Sequence, residues 1–134
     1  MYQVELTYNN GFQWDIVTGS HFIASDLSPE EGGDNEGPNP EELFLAALGS
    51  GAGMEITRFI KKHNLEKFSE FKVTVSAQPK KSPASLSHIK VRVTFPDDFP
   101  LTAKPKLLKE LEKNSINSTL LLSPEVTVEE TSAD

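Results

Sequence analysis

Apolar and polar residues alternate along much of this chain, and the alternation stops in one place. Residues 2–8 and 12–17 are rich in Tyr, Val, Phe, Trp and Ile, with Asn9-Asn10-Gly11 between them. Asn and Gly accept a positive φ, so this pattern predicts a β-hairpin. Thr18-Gly19 turns the chain into a third strand at about 20–25. Phe71, Val73 and Val75 alternate with polar residues over 70–78, as do Ile89, Val91, Val93 and Phe95 over 86–95. A period of two with one apolar face predicts half-buried antiparallel strands, here joined by Pro79–Ser85. A last strand is expected at about 125–130, with Val126 and Val128 on one side.

The alternation gives way after Asn39-Pro40-Glu41-Glu42. Asn at the cap, Pro at the first helical position and Glu in the first turn mark a helix start. Leu43, Phe44, Leu45, Ala46, Ala47 and Leu48 make its first half apolar on nearly every side, and such a helix is buried all round. Its second half is amphipathic, with Ile56, Phe59 and Ile60 inward and Arg58, Lys61 and Lys62 outward, and it runs to about His63-Asn64. Gly49, Gly51 and Gly53 interrupt it at alternate positions. Each helical glycine costs about 1 kcal/mol relative to alanine, so something must offset them. A second helix begins near Pro105, with Leu107, Leu108 and Leu111 on one face. Asn114-Ser115 interrupts it, and a short helical turn follows over Ile116–Leu120.

The order βββ-α-ββ-α-β predicts one α+β domain over residues 1–134. Residues 26–38 form its long polar, acidic loop and 129–134 an acidic tail that frays. The loop reads either as a lid or as a surface excursion. The central helix is too apolar for one small sheet to cover. A second copy of the chain is expected to bury the rest.

Composition narrows the function. The net charge is −7, and only Arg58 and Arg92 join the lysines, so nucleic-acid binding is set aside. Local basic patches at Lys61-Lys62 and Lys80-Lys81 read as solvated lysines at a helix end and a turn. No apolar run approaches the roughly 20 residues that span a bilayer, so no membrane partner is expected. The N-terminus lacks the pattern of a signal peptide. There is no cysteine, which excludes disulfides, thiolate catalysis and Cys-ligated metal. An acidic, disulfide-free domain fits the cytoplasm. His21, His63 and His88 have no ligand spacing, and Asp26, Glu30, Glu31, Asp34 and Glu36 lack the spacing of a calcium loop, so no metal or cofactor is expected. Ser50 lacks the nucleophile-elbow spacing and reads as a serine bonded to its own helix.

Gly37-Pro38-Asn39-Pro40-Glu41-Glu42-Leu43-Phe44-Leu45-Ala46-Ala47-Leu48-Gly49-Ser50, together with Asn114-Ser115-Ile116-Asn117-Ser118-Thr119-Leu120, resembles the OsmC/Ohr family of osmotically inducible and organic hydroperoxide resistance proteins. The element order resembles it over essentially the whole chain. The resemblance implies an intertwined homodimer with two sites at the subunit interface. It implies a reactive cysteine on the central helix, a resolving cysteine at the break in the second helical region, and an activating Glu and Arg. Here the reactive position is Gly51, the resolving position is Asn114, the Glu position is Glu41, and no arginine precedes Arg58.

Thiol peroxide reduction needs a nucleophile that takes oxygen and a second thiol that resolves it. Glycine and asparagine supply neither, so no thiol peroxidase activity is expected. Gly51 reads either as the opening of a pocket or as a close packing position. Gly49 and Gly53 read as packing residues, and Glu41 as a helix-dipole carboxylate. Gly51, Met54, Phe44 and Asn114 are the candidate lining of a small apolar ligand pocket at the interface. Three functions stay open: a non-catalytic dimer that binds a small apolar ligand, a hydroperoxide-defence protein using an external thiol or partner, and a partner of a cysteine-bearing relative.

Overall fold

Strand-forming residues flank two tight turns at the N-terminus, and a three-stranded antiparallel meander results. In the computed structural model, which describes residues 1–132, β1 (Glu5–Asn10), β2 (Gln13–Thr18) and β3 (His21–Ser25) pair in that order. Gly11 and Gly19 take φ of 55° and 57° at the two turns, which a side chain would strain. The register sets Leu6 opposite Ile16, Tyr8 opposite Trp14 and Ile16 opposite Ile23. Cross-strand partners share a face, so these five side chains form one apolar face of the meander. Leu6, Tyr8, Trp14 and Ile23 on that face are exposed.

The 26–38 loop is pinned by one residue. Asp26, 2 % exposed, accepts backbone hydrogen bonds from Leu27 (2.7 Å), Asp34 (3.2 Å) and Glu36 (3.2 Å). Its own amide donates to the Pro38 carbonyl at 3.3 Å and closes the loop. A 3-10 turn, Pro29–Glu31, lies within it. The Asp26 carboxylate oxygens are thus committed to backbone amides rather than presented as metal ligands. The Leu27 hydrogen bond holds this carboxyl below its ordinary range; burial opposes the shift, and the Glu36 and Asp34 amides reinforce it.

Helix α1 (Pro40–Lys62) starts as the sequence predicts. The Asn39 side chain accepts from the Glu42 amide at 2.8 Å, and Glu42 accepts from the Asn39 amide at 3.1 Å. This reciprocal pair satisfies two groups that a helix start leaves open. β4 (Lys72–Lys81) and β5 (Ala84–Thr94) form a two-stranded sheet, longer than the alternation alone suggests because the turn shrinks to Ser82-Pro83. α2 (Lys104–Leu111) and α3 (Ser115–Leu122) follow.

Contacts group the chain into two compact units, residues 1–47 with 76–89, and 48–75 with the chain from Lys90 on. The core lies in the second. Leu48, Ala52, Ile56 and Phe59, spaced four, four and three residues apart, form the buried stripe of α1. Ala52, Ile56 and Phe59 pack with Phe99, Leu107 and Leu111, and Val73, Val93, Phe71 and Phe95 border them. Phe99 sits within 5.2–5.5 Å, centroid to centroid, of Phe68, Phe71 and Phe95.

The first half of α1 is not enclosed within one chain, as expected of a helix too apolar for one small sheet to cover: Phe44, Ala46 and Ala47 are exposed. Only one stripe of the helix finds a core within a single chain. By length and composition the 23-residue α1 is long and apolar enough to cross a membrane, which a count of unbroken apolar residues misses. One expectation changes: the last strand, expected at about 125–130, is absent. Residues 123–132 have no regular structure, and Val126 and Val128 are 84 % and 97 % exposed. A strand exists by hydrogen bonding to a neighbour, and no described strand pairs with this segment.

Candidate functional site

The sequence separates Gly51 and Asn114 widely, and the fold brings them together. α2 ends at Leu111, and the chain turns through Glu112-Lys113 into Asn114, which is extended (φ −67°, ψ 153°) and caps α3. Its side-chain oxygen accepts from the Ile116 and Asn117 amides, both at 3.0 Å. Its side-chain NH2 donates to the Leu111 carbonyl at 2.8 Å. One amide therefore caps the start of α3 and satisfies a carbonyl at the end of α2. Asn117 adds a bond to the Glu112 carbonyl at 2.8 Å. Asn114 is 6 % exposed, and burial of so polar a group requires this full set of partners.

Gly51 faces this corner. A Cβ built at Gly51 would lie 2.8 Å from the Asn114 side-chain oxygen, 3.2 Å from its Cγ and 3.6 Å from Ile116 Cγ1. The first distance is shorter than side-chain carbons tolerate. The missing side chain on α1 is thus the room into which the asparagine fits. The sequence contains a signal for the cap: Asn114 is a favoured N-cap residue directly before α3.

The two flanking glycines differ. A Cβ at Gly49 would come within 3.1 Å of Val75 Cγ2, in line with the packing role expected of it. At Gly53 nothing lies within 4 Å, so the expectation of close packing there is corrected. Glu41 is exposed in the first turn of α1, while its neighbour Glu42 makes the capping bond. Met54 and Phe44 are exposed. Arg58 is ion-paired with Glu55 on the same helix. Among the described residues no three His, Asp or Glu side chains gather as a metal set.

In chemical terms the corner is a backbone-organising joint. It holds an amide whose oxygen accepts two hydrogen bonds and whose NH2 donates one, opposite a residue with no side chain. Neither group is a nucleophile.

The family model for OsmC-like proteins matches residues 33–131. No curated protein is a significant match to the sequence. Among solved structures, the fold is similar to a Psychrobacter arcticus 273-4 protein described in terms of osmotic stress induction and detoxification response. That match has a TM-score of 0.80 and 14 % identity, and covers 89 % of this chain and 88 % of that one. It is similar to a hypothetical protein of Aquifex aeolicus VF5, with a TM-score of 0.76, 21 % identity and coverage of 92 % and 89 %. It is also similar to an organic hydroperoxide resistance protein OsmC of Legionella pneumophila, with a TM-score of 0.67, 14 % identity and coverage of 90 % of each chain. The family match spans most of the sequence, including both Gly51 and Asn114, and this chain belongs to the OsmC-like family.

Proposed function

We propose that this protein is a non-catalytic homodimer of the OsmC-like family, cytoplasmic, in which the joint between Gly51 and Asn114 replaces redox chemistry with structure. The observation that carries the reading is the 2.8 Å that would separate a Cβ at position 51 from the Asn114 oxygen. The two positions where the family resemblance implies sulfur are neighbours, and they hold a glycine and a buried capping amide. The absence of any cysteine removes every other thiolate in the chain.

Three apolar surfaces support the dimer. They are the meander face bearing Leu6, Tyr8, Trp14 and Ile23, the first half of α1, and the segment bearing Val126 and Val128. Exposed apolar faces of this kind are characteristic of interaction surfaces. Phe44 on the first half of α1 and Met54 further along the helix are each exposed and would meet a small apolar ligand, whereas Asn114 is held in its cap and fills the room beside Gly51.

The test has two arms. Light scattering is expected to give about twice the 14.8 kDa chain mass; a monomer would overturn the dimer. Purified protein with cumene hydroperoxide and dithiothreitol is expected to match a heat-killed control. Turnover that depends on the added thiol would favour the hydroperoxide-defence reading instead.

A further inference from the structure

The lysines that the sequence reads as a solvated helix end have company in three dimensions. Lys62 and Arg58 on the second half of α1 share a cleft with Lys106 and Lys109 on α2. Glu55, Phe59, His63 and Glu110 complete its lining, and its volume is about 340 Å³. Helical spacing builds both walls: 55, 58, 59 and 62 share one face of α1, with His63 directly after its end, and 106, 109 and 110 share one face of α2.

The charges are unbalanced. Glu55 is held by Arg58, and Glu110 pairs with Lys113 at 3.3 Å. Lys62, Lys106 and Lys109 have no ion-pair partner among the described residues. Three unneutralised ammonium groups around one concavity, in a chain of net charge −7, call for an anionic occupant. The floor is aromatic. Phe59 is buried, and the His63 ring lies 4.3 Å from it, centroid to centroid.

We propose that this cleft binds a small organic phosphate monoester. Its dianionic head meets Lys62, Lys106 and Lys109, and its apolar body meets Phe59 and His63. Lysine acts as a flexible point charge toward phosphate, and several together favour a dianion over a monoanion. The ring pair distinguishes an ester with an apolar body from bare phosphate. This site uses neither Gly51 nor Asn114, so it stands independently of the proposed function.

The experiment is an amide NMR titration of the intact protein at about pH 7.5, where a phosphate monoester is largely dianionic. Phenyl phosphate, inorganic phosphate and benzoate are the probes. Phenyl phosphate is expected to give saturable shifts confined to residues 55–63 and 104–110, weakening as salt rises. Inorganic phosphate and benzoate are each expected to bind at least about tenfold more weakly, a difference of about 1.4 kcal/mol. The double variant Lys106→Glu, Lys109→Glu is expected to lose at least about tenfold in affinity, and the control Lys80→Glu, Lys81→Glu to keep it. No saturation by about 10 mM phenyl phosphate would overturn the site. Equal binding of benzoate would overturn the dianion, equal binding of inorganic phosphate the aromatic subsite, and equal loss in the control the cleft itself.

Discussion

Two buried polar side chains organise this chain, and they do so in opposite ways. Asp26 gathers amides from residues one, eight and ten positions ahead and ties a long loop to the end of β3. Asn114 gathers groups within three residues on either side and fixes the corner between α2 and α3. The carboxylate only accepts hydrogen bonds, so it suits a nest of amides. The carboxamide accepts and donates, so it bridges an amide-rich helix start and a carbonyl-rich helix end. Charge is useful in the first place and would be wrong in the second, where a carboxylate would face the Leu111 carbonyl.

Asn114→Ala is expected to do the most damage. It removes the α3 cap and leaves the Leu111 carbonyl without its donor, and an expected loss of about 1–3 kcal/mol would be read from urea unfolding. A loss below about 0.5 kcal/mol would show that the joint is not structural.

Gly51→Ala comes next. Alanine favours the helix by about 1 kcal/mol but pushes the Asn114 oxygen out of its cap. The expected net effect is a loss of about 1 kcal/mol in the native background and a gain of about 1 kcal/mol with Asn114→Ala, so the pair is coupled. Gly53→Ala has open space and is expected to stabilise by about 0.5–1 kcal/mol in either background. Additive behaviour of Gly51 and Asn114 would contradict the joint.

The smallest global effect is expected at Asp26, and it depends on pH. Its folded carboxyl is held below the ordinary Asp value of about 3.9, so its stabilisation is complete above that value. It is lost as pH falls through the lower, folded value. The difference in melting temperature between the native protein and Asp26→Asn should therefore be constant near neutrality and shrink under acid. Hydrogen exchange at the Asp34 and Glu36 amides should quicken in the variant. A difference that grows on acidification would contradict the assignment.

Much of the fold is written locally. Asn39 and Glu42 specify the start of α1 by short-range hydrogen bonding, and Gly11 and Gly19 specify the meander turns. The site is legible only in part. The family resemblance points to Gly51 and Asn114, but nothing local says that one fills the space beside the other. The role of Asp26 is hidden because its partners lie up to ten residues away, and an acidic loop looks solvated when read in one dimension.

Most element types, the family and the absence of cysteine can be read from the residues in order, because they follow from periodicity, caps and residue identity. Three further things exist only once the chain is folded: Gly51 and Asn114 form one joint, Asp26 closes the loop, and Lys62 shares a cleft with Lys106 and Lys109. The fold also leaves 125–130 with no strand to pair with among the described residues. The physical reason is common to all of these. A side chain's chemistry is set by its own atoms, but its role is set by which distant groups the fold places within a hydrogen bond or a van der Waals radius of it.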